Sequence, residues 1–258
     1  MAAVGAAALA WGVFVERNRF MVRHESVAVL EPGARPLTVL HLSDLHMAPW
    51  QQRKQEWVRS LALLEPDLIV NTGDNLGHVD GIEGLEKALQ VFAGIPGVFV
   101  HGSNDYVGPQ LKNPFTYFGG PSRTPTKPTS LDTARLERYF EDTLGWLSLN
   151  NTSRALEIKG SRLEFFGTND AHRNWDRLDV LPGAIEEMRE NVGWADDTAG
   201  PDPVAIGVTH APYRRVLDSF VTHGAEVIFA GHTHGGQVRI PGLPALGTIC
   251  DIPREQAQ

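Results

Sequence analysis

Short apolar runs, each followed by a group of polar residues, recur along the chain. Five such runs span residues 37–42, 68–70, 98–100, 204–208 and 227–230. Runs of this length that are rich in β-branched residues indicate buried strands. Strands that end in polar residues and alternate with helices are typical of an α/β sheet with its active site along one edge.

The segments between these runs add helices and a second sheet. Apolar positions at helical spacing predict helices over 51–64, 82–92, 131–144 and 185–191. Residues 154–159 and 162–166 predict a hairpin around Gly160 and Ser161, and hence a second sheet. The stretch 108–130 is rich in Pro, Gly, Ser and Thr, which predicts a surface loop beside the site.

Composition narrows the choice of partners. The chain has 23 Lys and Arg against 31 Asp and Glu, a net charge of -8, with no basic run, so no specific nucleic-acid binding is expected. Its single cysteine, Cys250, cannot form an internal disulfide, which favours the cytoplasm weakly. One catalytic domain is expected over residues 24–258, after an N-terminal hydrophobic segment of residues 1–23.

The N-terminal segment carries a candidate membrane anchor. Met1–Val15 is uncharged and is followed by Glu16, Arg17, Arg19 and Arg23. The run is shorter than the roughly 18 residues that span a bilayer. We favour a truncated anchor over a buried or amphipathic first helix and over a signal sequence. The arginines would keep the catalytic domain of such a membrane-associated protein on the cytoplasmic side; the alternative is a cytoplasmic protein.

Potential metal ligands follow the strands. They are Asp44, His46, Asp74, Asn104, His210, His232 and His234. Carboxylate, imidazole and amide groups without thiolates favour Mn²⁺, Fe²⁺ or Zn²⁺, and a carboxylate can bridge two ions. In Asp-x-His and His-x-His, residues two apart on an extended segment would point the same way. The sequence therefore predicts two divalent metal ions.

The order of these motifs resembles a known family. Asp44-Leu45-His46, Gly73-Asp74, Gly102-Ser103-Asn104-Asp105, His210 and Gly231-His232-Thr233-His234 match, in order, the five motifs of calcineurin-like metallophosphoesterases. The form Gly-His-Thr-His-Gly-Gly-Gln is similar to a membrane-associated bacterial phosphodiesterase-like branch. The resemblance implies an α/β fold, a four-layer α-β-β-α sandwich of two mixed β-sheets flanked by helices. It covers residues 37–237, and related proteins usually continue with further strands, so we expect either a longer native chain or a differently closed sheet.

The resemblance also implies roles for the ligands. One metal would be held by Asp44, His46, Asp74 and His234, and the other by Asp74, Asn104, His210 and His232, with Asp74 as the bridge. A metal-bridging hydroxide would then hydrolyse a small phosphorylated substrate, with a phosphodiester favoured. The alternatives are a pyrophosphohydrolase acting on a nucleotide-linked lipid and a catalytically weak, metal-dependent phospholigand-binding protein.

The third motif departs from the family, which usually has Gly-Asn-His-Asp or Gly-Asn-His-Glu at this place. Without a gap Ser103 replaces the metal-binding Asn, whereas a shift by one residue keeps Asn104 as the ligand; we favour the shift, because an amide oxygen is the better ligand. Either way the His that would assist the leaving group is missing. Asp105, His172 and, less strongly, His101 are the candidate replacements, so the predicted catalytic residues are Asp74, Asn104, Asp105 and His172.

Overall fold

The computed structural model describes Trp11 and residues 19–109, 129–194, 200–236 and 250–253. Its first half contains β1 (Val39–Leu42), α1 (Gln52–Ser60), β2 (Leu68–Asn71), α2 (Gly81–Leu89), β3 (Gly97–Phe99), α3 (Thr133–Arg138) and β4 (Leu147–Ser148). Short 3₁₀ turns extend α1 and α2, and a π-helical turn extends α3, so the first three predicted helices are present with shorter α-helical parts.

The first sheet has the strand order β1-β2-β3-β4, and all its pairs are parallel. Helices connect β1 to β2 and β2 to β3, as parallel neighbours require, because a tight turn can join only antiparallel strands. Two mixed sheets were expected, but in the part of the chain that the structure describes this one is purely parallel. All four strands therefore end at the same edge.

The second half builds a second four-stranded sheet. Its elements are β5 (Thr152–Ile158), β6 (Ser161–Gly167), α4 (Leu181–Val192), β7 (Val204–Thr209), α5 (Arg214–Thr222) and β8 (Val227–Ala230). The order is β5-β6-β7-β8, with β5 antiparallel to β6 and the other pairs parallel, so this sheet is mixed. Lys159 and Gly160 both have positive φ, as a two-residue hairpin turn of type I′ requires.

The two sheets pack face to face between two layers of helices. Leu68 and Val98 of the first sheet share a buried core with Phe165 and Ile206 of the second. The outer face of the first sheet is covered by α1, α2 and α3, and that of the second by α4 and α5. These clusters confirm the predicted four-layer α-β-β-α sandwich. The carboxyl ends of the parallel strands therefore bring the motif loops together at one edge of the molecule.

Two predicted segments fall largely outside the described residues. They are the N-terminal hydrophobic segment, of which only Trp11 and residues 19–23 are described, and the Pro-rich loop between Pro109 and Thr129. Among the helices that are described, none has the length and apolarity to cross a membrane.

Candidate metal centre

The loops that follow β1 and β2 run side by side. The backbone N–H groups of Asp44 and His46 donate to the carbonyls of Gly73 and Asp74, both at 2.9 Å, and Met47 donates to Asn75 at 2.7 Å. The parallel pairing of the two strands thus continues into their loops. As a result, Asp44 and His46 lie next to Asp74.

The motif residues have an unusual backbone conformation. Five of the proposed ligands have a positive φ: Asp44 (52°), His46 (40°), Asp74 (53°), His232 (68°) and His234 (47°). Non-glycine residues rarely adopt this left-handed region, which costs on the order of 1–3 kcal/mol each and is concentrated at functional sites. Our expectation that these side chains converge along extended segments was therefore wrong. They converge because the chain turns sharply at each of them.

The first group of ligands consists of Asp44, His46 and His234. His234 Nε2 lies 3.1 Å from Asp44 Oδ1 and 3.2 Å from His46 Nε2, and the two imidazole rings are stacked. One potential ligand atom from each residue lies within 4.8 Å of the other two. The group is partly exposed to solvent, as a site that receives a substrate must be.

The second group consists of Asp74, His210 and His232, all of them buried. His210 Nε2 lies 3.5 Å from Asp74 Oδ2 and 3.2 Å from His232 Nδ1. The other ring nitrogen of His210 donates to the backbone carbonyl of Thr72 at 2.8 Å. This bond leaves Nε2 as the atom that faces the group.

Asp74 lies between the two groups. Its Oδ2 atom is 3.8 Å from His46 Nε2 in the first group and 3.5 Å from His210 Nε2 in the second. A carboxylate in this position reaches ligands of both groups at once. This is the geometry expected of a bridging ligand.

Electrostatics keep the carboxylates ionised. Burial alone would raise the pKa of Asp44, but the close contact with the His234 imidazole and the nearby His210 outweigh it and hold the pKa at about 2. Asp74 follows the same pattern: burial opposes ionisation, and the contact with His210 lowers its pKa. Burial and the neighbouring His210 lower the pKa of His232 to about 3, so His232 is neutral at neutral pH, as metal ligation requires.

Two buried polar atoms fit a metal site in particular. Asp44 Oδ1 and His232 Nε2 have no hydrogen-bond partner among the described residues. Such atoms are costly unless something compensates them. Two groups of oxygen and imidazole donors, joined by a shared carboxylate, match the needs of divalent cations such as Mn²⁺, Fe²⁺ or Zn²⁺.

The third motif places Asn104 against Asp74. The backbone N–H of Asn104 donates to Asp74 Oδ1 at 2.8 Å, and its side-chain amide donates to Asp74 Oδ2 at 2.6 Å. Rotation of the amide group would bring its oxygen to the same place. These contacts favour Asn104 over Ser103 as the residue equivalent to the family's ligand.

The carboxylate of Asp105 accepts hydrogen bonds from the backbone and does not have the orientation expected of a proton donor. It is fully buried, and its carboxylate accepts from the backbone N–H groups of Asn75 (2.8 Å) and Gly102 (3.0 Å). Both oxygens therefore hold the second and third motif loops together. The acid role predicted for Asp105 is not supported by these contacts, which indicate a positioning role.

His101 is also unsuited to proton donation, because it is buried in the interior. Its ring is completely buried, with Nδ1 3.6 Å from Asp105 Oδ2 and Nε2 3.4 Å from Glu137 Oε1. These distances describe ion pairs and not hydrogen bonds. Burial opposes the charged form, but the two carboxylates outweigh it and raise the pKa of His101. Its place between carboxylates marks it as a structural residue.

His172 lies beside the second group. Its ring centroid is 4.6 Å from that of His232, and its Nδ1 atom is 3.0 Å from the hydroxyl of Tyr213. The carboxylate of Asp170 accepts from the His172 backbone N–H and so caps the short turn that carries the ring. Of the three candidate acids, His172 is the one whose ring lies against that of a proposed ligand, His232.

Sequence reasoning missed several residues that support these groups. Asn75 and Asn71 are buried and bonded to each other, Glu137 faces His101, and Tyr213 contacts His172. Asn75 directly follows a ligand, which is a usable signal. Glu137 and Tyr213 lie on other elements and carry no local signal.

Two sheets between helices, with carboxylate and imidazole groups gathered at one edge, define an α/β domain with a candidate site for divalent metal ions. Residues 37–236 match the family described as calcineurin-like phosphoesterase. This chain therefore belongs to the calcineurin-like phosphoesterase family.

Two bacterial relatives and one solved structure are among the proteins similar to this chain. The chain is 30% identical over 212 residues to the Bacillus subtilis protein YpbG, covering 80% of this chain and 64% of the relative. It is 25% identical to the metallophosphoesterase YkoQ of the same organism, covering 81% and 65%. The chain thus spans less than two thirds of the length of these relatives. A solved structure, the phosphopantetheinyl hydrolase PptH from Mycobacterium tuberculosis, aligns with a TM-score of 0.38 at 14% identity, covering 76% of this chain and 83% of that one.

Proposed function

We propose that the protein is a binuclear phosphoesterase that acts on phosphodiesters. The observation that supports two ions is the position of Asp74, whose Oδ2 atom lies within 4 Å of imidazole nitrogens in both ligand groups. Asp44, His46 and His234 would hold one ion, and His210, His232 and Asn104 the other. Bound divalent ions supply Lewis-acid charge for the phosphate oxygens and lower the pKa of water.

The chain itself contributes preorganised ligands. Asp105 and Asn75 fix the loops around Asp74, and the bond from His210 to the Thr72 carbonyl fixes the imidazole that faces it. A site that is held before the substrate arrives needs little rearrangement during the reaction. No protein nucleophile is required.

We assign proton donation to His172. The hydroxyl of Tyr213, 3.0 Å from Nδ1, orients the ring. The protonated imidazole would give its proton to the departing oxygen of the substrate. The His172 ring lies next to His232 of the second ligand group, so we expect the leaving group on that side of the centre.

His172→Ala should slow the hydrolysis of diesters with an alcohol leaving group by about 10²- to 10⁴-fold, the usual contribution of a general acid. Diesters that release para-nitrophenolate need little protonation and should be affected far less. Steady-state rates on both substrate types, with metal content measured by elemental analysis, test this.

Asp105→Asn is the matched comparison for His172→Ala. It should lower metal content and slow both substrate types alike, because Asp105 positions loops. An equal loss on both substrates in His172→Ala, with full metal content, would contradict the proton-donor role.

The activity itself is tested by removing and restoring metal. Protein treated with a chelator should lose hydrolysis of bis(para-nitrophenyl) phosphate and regain it with Mn²⁺, Fe²⁺ or Zn²⁺. Diesters should be hydrolysed faster than the corresponding monoester and faster than a nucleotide-linked lipid pyrophosphate. The order of these three rates decides between the phosphodiesterase and the pyrophosphohydrolase.

A second candidate is a metal-dependent protein that binds a phosphorylated ligand with little turnover. The missing third-motif His favours it, since Asn104 and Asp105 occupy that segment. Metal-dependent binding of inorganic phosphate without hydrolysis of any of these substrates would select this candidate.

A further inference from the structure

Two tryptophans are exposed beside the motif loops. Trp50 has 65% of its surface in solvent and Trp175 has 37%. Single exposed apolar side chains are common on soluble proteins, so exposure alone indicates nothing. Their positions relative to the two ligand groups are the informative feature.

Trp50 lies on a loop next to the first ligand group. It follows His46 by four residues, and its ring contacts that of His78 edge to face, with centroids 4.8 Å apart. The preceding Gly77 packs so closely on the carbonyl of His46 that a Cβ would not fit there. The contact between Trp50 and His78 therefore connects the loops that carry the first and second motifs.

Trp175 lies on a loop next to the second ligand group. Its ring contacts Tyr106 edge to face, with centroids 4.9 Å apart, and Tyr106 comes two residues after Asn104. The backbone N–H of Trp175 donates to Asp170, which caps the turn that carries His172. Trp175 is thus fixed close to the proposed proton donor.

An edge-to-face contact holds an aromatic ring in place and leaves part of its surface open for stacking. A phosphodiester has two organic groups, which leave the phosphorus in different directions. The two tryptophans lie on loops next to different ligand groups. Each is therefore available to one of the two organic groups.

We propose that Trp50 binds the retained organic group of the substrate and Trp175 the leaving group, and that the substrates are phosphodiesters with a flat ring such as a nucleobase. This inference rests on the proposed phosphodiesterase function. The leaving group is assigned to Trp175 because His172 lies on the same side. Stacking on an aromatic side chain suits any base, so the preference is for ring shape and not for one base.

The test uses two diesters that release the same para-nitrophenolate. One carries thymidine as its second group and the other carries methyl. Trp50→Ala should lower kcat/KM for the thymidine diester about tenfold and leave the methyl diester unchanged, since one stacked base contributes a factor of that order. Trp175→Ala should lower kcat/KM for both substrates alike.

Leu63→Ala and Trp50→Phe are the controls. Leu63 is 85% exposed and lies in the turn after α1, so its loss should change neither rate. Trp50→Phe keeps an aromatic ring and should retain most of the preference for the thymidine diester. An unchanged ratio between the two substrates in Trp50→Ala overturns the assignment.

A binding measurement separates this inference from the proposed function. Calorimetry with the Mn²⁺-loaded protein should show that thymidine monophosphate binds more tightly than inorganic phosphate, and that Trp50→Ala removes the difference. If no diester is hydrolysed, the proposed function fails, and the binding result still decides the role of Trp50. Equal affinity for both ligands in the wild-type protein overturns that role.

Discussion

Asp74→Asn should abolish most of the phosphoesterase activity and reduce the number of metal ions bound per chain. Asp74 Oδ2 faces both His46 and His210, so its charge serves both ligand groups. Loss of one charge-stabilising group at an active site costs on the order of 10²- to 10³-fold in turnover, and a shared ligand should exceed this. Elemental analysis and steady-state kinetics on the same preparation measure both effects.

Asparagine is the appropriate replacement because Asp74 has a φ of 53°, a conformation that asparagine tolerates better than alanine. The metal-free variant should also unfold at a lower temperature. His210 would remain buried without its charged partner, and breaking a buried pair in this way costs about 3–5 kcal/mol. Thermal unfolding in the presence of a chelator measures this effect.

Asp218→Asn is the matched control for Asp74→Asn. Asp218 is exposed on α5, and its replacement makes the same change in net charge. It should retain metal content, activity and stability. Wild-type metal content and turnover in Asp74→Asn would exclude a bridging role.

The ends of the strands made much of the centre predictable. Each apolar run is a strand, and β2, β3 and β7 are buried throughout. Parallel strands of one sheet end at one edge, so the loops that carry Asp44 and Asp74 could be brought together without coordinates. The local backbone geometry could not be predicted in this way. Asp44 and His46 converge because both have a left-handed backbone conformation. Their residue types are equally compatible with an extended segment.

The direction of side chains was the second feature that could not be predicted from the sequence. Asp105 follows a proposed ligand directly, which made it a candidate acid, but its carboxylate points to the backbone N–H groups of Asn75 and Gly102. The hydroxyl of Tyr213 reaches His172 from another element, 41 residues away. Contacts of this kind depend on how the layers pack, and residue spacing along one element does not determine them.

Gly102→Ala should disable the metal centre while the fold stays intact. Gly102 has φ -101° and ψ 174°, so alanine can adopt its backbone conformation without strain. Space is the obstacle. An added Cβ would overlap Asp74 Oδ1 and lie 2.8 Å from His210 Cε1, so the Asp74 carboxylate would have to move.

We expect a loss of metal affinity in Gly102→Ala of at least about 10- to 100-fold, the range found when groups that orient metal ligands are changed. Turnover should fall with it at limiting metal. Gly183→Ala is the matched control, because a Cβ at Gly183 in α4 meets nothing within 4 Å. It should keep full activity and gain about 0.4–1 kcal/mol in stability. Titration of both variants with Mn²⁺, followed by activity and thermal unfolding, distinguishes them. Wild-type affinity in Gly102→Ala would mean that Asp74 binds metal from a different position than the one seen here.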